Sequence, residues 1–212
     1  MPLSPSRTVA ELRELQDLTG DEEGAQRVAW TETWGSARTW LEQKLAGLPL
    51  EPKTDAAANQ WFTLRGASPR ALLIGGHLDS VPNGGWLDGA LNVLAGAEVL
   101  RRLAEAGEPP VTVRLVNWAD EEGARFGRSL FGSSAAAGSM ADQEDLRERR
   151  DASGISLPEA LSRFGVELDR AIEARAELDD AGAYLELHIE QGPVLESLEL
   201  PLGVVLGTFG VE

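Results

Sequence analysis

Two histidines, His77 and His188, supply all the imidazole in this chain, and each sits inside a dense polar motif. Gly-Gly-His-Leu-Asp-Ser-Val spans 75–81 and Glu-Leu-His-Ile-Glu-Gln-Gly-Pro spans 186–193; Gly-Gly-Trp-Leu-Asp-Gly at 84–89 and Asp-Glu-Glu-Gly at 120–123 lie between them. Two imidazoles interleaved with several carboxylates form the ligand set of a zinc-type hydrolase.

Each motif offers a specific piece of chemistry and also an ordinary structural explanation. His77 and Asp79 are two apart on an extended segment and so point the same way, which lets the Asp79 carboxylate accept the second ring N–H of His77 and leave the other nitrogen free for a metal. A capping Asp beside a buried His is the plainer alternative. Asp88, between Leu87 and Gly89 in a glycine-rich loop, is by itself a turn residue. Yet its loop starts seven residues after His77 and leads directly into a helix. Glu121 and Glu122 are adjacent, so they face different ways; one can bind a cation while the other takes a proton from water that the cation has acidified and passes it to a leaving nitrogen. Glu-Glu alone is most simply an exposed acidic turn, and His188 alone a satisfied surface histidine.

The elements that must hold these groups follow from periodicity. Leu12, Leu15 and Leu18 give a helix over 9–18, and Ala37, Trp40, Leu41 and Leu45 give another over 34–45. Gln60–Arg65 is predicted as a short strand and Ala71–Gly76 as a buried one, so His77 begins where a strand stops. Ala90–Ala104 reads as a helix with Leu91, Leu94, Ala97, Leu100 and Leu103 on one face, ending near Gly107, Pro109 and Pro110. Val111–Trp118 follows as a strand that again delivers carboxylates at its end. Strand, helix, strand with polar residues at the strand ends is the α/β arrangement that places ligands beyond the sheet. The charged stretch 141–151 is expected to be a solvated helix or loop, and 157–164 and 168–176 short surface helices. Ala183–Ile189 alternates as a half-buried strand presenting His188, and Leu202–Phe209 is a last strand.

Composition narrows the partners. The 212 residues, 42% hydrophobic, suffice for a real core. With 35 acidic and 19 basic residues the net charge is −16, which repels phosphate backbones and anionic bilayers, so neither nucleic acid nor a membrane is expected as a partner. The absence of cysteine excludes disulfides and thiolate metal sites. Neither a signal-like segment at the start nor an apolar run near the roughly 20 residues of a spanning helix is present, and a soluble cytoplasmic protein is expected.

Taken together, the four motifs and Phe-Gly-Ser at 131–133 resemble the metal-dependent amidohydrolases of the M20 peptidase clan. Their order is that of the branch containing N-carbamoyl-L-amino-acid hydrolases, allantoate amidohydrolases and bacterial-type β-ureidopropionases, and Leu-His-Ile-Glu-Gln-Gly-Pro-Val-Leu-Glu is its most distinctive signature. The resemblance implies a three-layer α/β/α sandwich of the zinc-peptidase type. It also implies two divalent metal ions (zinc, or manganese, cobalt or nickel), with His77 and His188 on one, Asp88 bridging and Glu122 on the second. Glu121 would be the general base and acid, Asp79 would support His77, and Gln191 would contact the ureido or amide end of a small carbamoyl substrate. The reaction implied is hydrolysis of a linear C–N bond other than a peptide bond.

Departures from the branch pattern qualify this expectation. Gly76 stands where Ser is usual and Asn92 replaces a usual Gly in the helix after Asp88; both are expected to be tolerated, Asn92 at some cost to close packing, and an upstream Asp-x-x-Gly-Asn survives only as Asp55-Ala-Ala-Ala-Asn59, so its glycine-dependent turn is expected to be rebuilt. Full-length members, implied to be homodimers, continue into a lid and dimerisation domain and return with one more metal-binding His. Residues 1–212 are therefore expected to be the N-terminal part of the catalytic domain, with an incomplete second metal site and little or no activity alone. A dipeptidase or aminopeptidase of the same clan, and a non-catalytic metal-binding remnant, are the competing readings.

Overall fold

The computed structural model describes residues 2–140 and 143–207. A five-stranded mixed sheet forms the middle layer: β3 (Glu51–Thr54), β4 (Gln60–Leu64), β5 (Ala71–His77), β6 (Thr112–Trp118) and β7 (Ala181–Leu185), in the order β3-β4-β6-β5-β7. Two-residue strands β1 (Gly20–Asp21) and β2 (Gly24–Ala25) form a separate hairpin. β5 runs parallel to β6 and β7, and β4 runs antiparallel to both β3 and β6. The crossover between β5 and β6 is α3 (Ala90–Ala106), which packs against both strands.

Side-chain alternation along the central strands divides the core in two. Phe62, Leu64, Ile74, Val113 and Leu115 face α1 (Pro5–Thr19), α2 (Glu32–Leu45) and α3, where Leu12, Leu15, Leu41, Val93, Leu94 and Leu100 are buried. Trp61, Leu73, Val116 and Trp118 face the other way, toward α4 (Phe131–Ala137), α5 (Gln143–Glu148), α6 (Leu157–Ser162) and a 3₁₀ helix over Leu168–Leu178. The expected three-layer α/β/α sandwich is the observed architecture.

Several expectations are corrected. Leu18 is exposed, and the inward face of α1 is Thr8, Glu11, Leu12, Leu15 and Thr19. The helix is rotated because Arg101 of α3 takes Glu11 into the core through two 2.9 Å bonds. The segment at 168–178 is no mere surface helix: its threefold winding stacks Leu168, Ala171, Ala174 and Glu177 in one buried row. β7 ends at Leu185, not Ile189, and all five of its residues are exposed; its last partner on β5 is Ile74, after which the chain turns away and Glu186 meets α3. Residues 202–207 form no strand, and 208–209 lie outside the described residues. At 55–59, Ala58 adopts a left-handed φ of +63°, a conformation that favours glycine. The Asp55 carboxylate accepts from the backbone N–H of Ala57 and Asn59 and from Trp61 Nε1. Among the described residues no helix is long and apolar enough to cross a membrane.

Candidate metal centre

His77 is the last residue of β5, in register with Trp118 at the end of β6, so the imidazole and the acidic loop after β6 emerge side by side at one edge of the sheet. Asn117 fixes that edge from within. Its Oδ1 accepts from Leu78 N–H at 2.8 Å and its Nδ2 donates to Gln60 Oε1 at 2.9 Å, which ties β5, β6 and β4 together where apolar side chains could not. Asp88 arrives from the other direction on a loop anchored by Ala25 N–H to the Gly84 carbonyl, 2.9 Å. Gly89 then makes a tight γ-turn (φ 62°, ψ −49°, Ala90 N–H to Asp88 O 2.5 Å) into α3. A Cβ on Gly89 would lie 2.4 Å from the His77 carbonyl oxygen and 2.5 Å from its Cε1, so glycine is what lets the Asp88 turn press against the imidazole.

Ligand atoms of His77, Glu121 and Glu122 lie within 4.8 Å of one another, and His77 Nε2 stands 3.6 Å from Glu121 Oε2. Asp88 and His188 form a second pair, Nε2 to Oδ1 3.6 Å, with Gln191 Nε2 donating to the other Asp88 oxygen at 2.7 Å. The structure thus groups Glu121 with Glu122 around His77, whereas the sequence reading put His77, Asp88 and His188 on one ion and gave Glu121 to proton transfer alone. His188 and Gln191 are exposed and sit on irregular chain beyond β7. Asp79 is fully buried, but the His77 Nδ1 partner is its backbone carbonyl at 3.0 Å; the carboxylate stands off at 3.7 Å and accepts from Glu122 N–H at 3.0 Å instead. The main-chain oxygen still selects the tautomer that leaves Nε2 facing the glutamates.

The electrostatics are those of a site short of positive charge. Burial raises the pKa of both Glu121 and Glu122 above the ordinary glutamate range; His77 opposes this, and neighbouring carboxylates, Asp79 and Asp88 among them, reinforce it. Burial raises Asp79 as well. For His77, burial lowers the pKa, yet Asp79, Glu121 and Glu122 together outweigh it and hold the imidazole above its usual value. Oδ1 of Asp79 and Oδ1 of Asp88 are buried without a hydrogen-bond partner among the described residues. Orphaned acceptors beside a nitrogen and two further carboxylates suit a divalent cation, so the residues present fit a metal.

Sequence reasoning overlooked three participants. Asp120, in the quoted acidic motif, is buried, has φ of +53° and receives Trp30 Nε1 at 2.6 Å; burial, then Asp79, push its pKa up to about 7. Arg27 is fully buried, donates to the Leu78 carbonyl at 2.7 Å and places its charge near Asp79. Glu186 stood in the His188 motif and was passed over, yet it accepts from Asn92 Nδ2 at 2.6 Å.

Residues 73–208 match the peptidase family M20/M25/M40. The chain is 42% identical over 193 residues to an N-carbamoyl-L-amino acid amidohydrolase of Geobacillus stearothermophilus, covering 89% of this chain and 46% of that protein. It is 36% identical over 190 residues to an allantoate amidohydrolase of Bacillus subtilis, covering 88% and 45% respectively. Among solved structures, a hydantoinase/carbamoylase family amidase from Burkholderia ambifaria superimposes with a TM-score of 0.79 at 33% identity, covering 93% of this chain and 48% of that one. The chain thus spans about half the length of the curated relatives it matches. Motif order, the fold and these matches agree that the chain belongs to the M20/M25/M40 peptidase family.

Proposed function

We propose that this chain carries the metal-binding part of an amidohydrolase that cleaves linear ureido or amide C–N bonds, in substrates of the N-carbamoyl-L-amino-acid, allantoate or ureidopropionate type. The observation that carries the proposal is the convergence of His77, Glu121 and Glu122 at one sheet edge, in a chain similar over most of its length to enzymes of that name. His77, Asp88, Glu122 and His188 would hold two divalent ions, and zinc, manganese, cobalt and nickel all suit an imidazole–carboxylate set. Bound there, such an ion supplies Lewis-acid activation of water and of the substrate carbonyl. Glu121 would accept the proton that the attacking water loses and hand it to the departing nitrogen as the C–N bond breaks. Its raised proton affinity suits a group that must hold a proton between the two steps. Asp79 would keep His77 oriented. Gln191 would turn from Asp88 to the ureido end of the substrate.

Residues 1–212 would form the N-terminal part of a catalytic domain, a reading supported by the 46% and 45% of the two relatives that the chain covers. Ammonia release from an N-carbamoyl-L-amino acid and from allantoate, with zinc, manganese or cobalt, tests the proposal, both alone and with the remaining part of a full-length relative supplied in trans. We expect turnover on complementation, lost in Glu121→Gln while calorimetric zinc binding is retained, and lost in Glu122→Gln together with the second zinc equivalent, the first remaining on His77, Asp88 and His188. Cleavage of a dipeptide without any ureido turnover would overturn it in favour of a peptidase.

A further inference from the structure

Beyond Leu185 the chain has left the sheet, yet 186–191 must bring His188 to Asp88. What holds it is α3. Leu91 N–H bonds the Leu87 carbonyl at 2.9 Å and Val93 N–H bonds that of Gly89 at 3.2 Å, so the Asp88 turn is hydrogen-bonded onto the first turn of α3, which carries Asn92. The two segments meet at two matched contacts: Asn92 Nδ2 with Glu186 Oε1 at 2.6 Å, and Asp88 Oδ1 with His188 Nε2 at 3.6 Å.

The Glu186 end of this match is closely held. Its second oxygen accepts from the Tyr184 hydroxyl at 2.6 Å, and that hydroxyl accepts from Trp118 Nε1 at 3.1 Å, on the strand end in register with His77. On the helix side, a Cβ at Gly76 would lie 2.6 Å from Asn92 Cβ and 2.7 Å from its Nδ2. Positions 76 and 92 therefore share one side-chain volume. The Asn92 side chain is buried with its Oδ1 unpartnered among the described residues. An apolar residue of the same size would avoid that loss, so an amide here points to the work of its other atom, Nδ2.

We propose that Asn92 is a positioning residue: its amide, through Glu186, sets the register in which His188 stands opposite Asp88. The proposal rests on the reading of this site as a metal centre and assigns no chemistry to Asn92 itself. The test is calorimetric zinc titration of the full chain bearing Asn92→Leu, which keeps the volume, Glu186→Leu, which changes only an exposed side chain, Glu186→Gln, which keeps an acceptor for the amide, and His188→Ala alone and combined with each. Asn92→Leu and Glu186→Leu should each weaken zinc binding about 10–100-fold, the range for outer-shell partners of metal ligands. Glu186→Gln should stay within about threefold, and the two Leu substitutions should add almost nothing once His188 is Ala. Without zinc, amide exchange at 186–189 should speed up in Asn92→Leu and stay unchanged in β5. Wild-type affinity in both Leu variants, or losses that persist in full with His188→Ala, would overturn the inference and leave the metal reading standing. An unchanged affinity in His188→Ala itself would overturn both.

Discussion

Gly89→Ala puts one methyl group where the structure allows none, and its cost can be worked out in two parts. The backbone at position 89 has φ of +62°, where a side chain costs about 1–2 kcal/mol. The new Cβ would fall 2.4 Å from the His77 carbonyl oxygen, 2.5 Å from Cε1 and 2.6 Å from Nδ1, overpacking that costs about 1–3 kcal/mol more. The expected destabilisation is roughly 2–5 kcal/mol, a large share of the 5–15 kcal/mol that a domain has, or about 4–20 °C in melting temperature. Gly165→Ala is a control for positive φ without a clash, since φ there is +75° and a Cβ meets nothing within 4 Å. Urea unfolding of the chelator-treated proteins measures both, and zinc affinity should fall in Gly89→Ala alone because His77 must move. Equal shifts in the two variants, with zinc affinity intact, would refute the claim that Gly89 exists to let the Asp88 turn reach the imidazole.

Arg101→Met should destabilise the chain by about 3–5 kcal/mol in urea, because it strands the buried Glu11 carboxylate and leaves Glu98 to Arg7 and the Ser4 N–H; a loss below about 1 kcal/mol would contradict the pairing as drawn. Asp120 fixes a pH dependence. Its folded pKa, raised by burial and then by Asp79 to about 7, exceeds the unfolded value near 3.8, so the folded chain binds more protons between these limits and loses stability as pH rises through that window, by about 4 kcal/mol in all. In metal-free protein, Asp120→Asn should flatten urea midpoints measured from pH 4 to 8, and an unchanged slope would count against this assignment.

Strand, helix and strand around His77 were legible because their apolar runs are long and their ends carry glycine or acid; observed boundaries differ from the expected ones by a residue or two. β3 was not legible. Glu-Pro-Lys-Thr has no apolar alternation and becomes a strand only because β4 offers it an edge. Nor was α4, whose Phe-Gly-Ser-Ser-Ala-Ala-Ala is too short to show a helical period. At the site, the residue types were visible but not their grouping. Nothing in the sequence says that the Glu121 and Glu122 loop lands on His77 while Asp88 lands on His188 and Gln191, because that depends on the γ-turn at Gly89 and on where β7 stops. Asn92 was noticed only as an oddity. Its meaning needed Gly76 beside it in space, sixteen positions away in sequence.

The order β3-β4-β6-β5-β7 has a thermal consequence for the site. His77 and the two glutamates are borne by β5 and β6, each laddered on both sides and buried, which in a cooperative fold are the last elements to exchange and open. His188 and Gln191 follow a rim strand laddered on one side and exposed along its whole length, where fraying begins. Warming should therefore take the centre apart in two stages, releasing the rim half while the inner half still stands. The temperature at which the rim half is released and the temperature at which the chain melts are then two different properties, set by different residues.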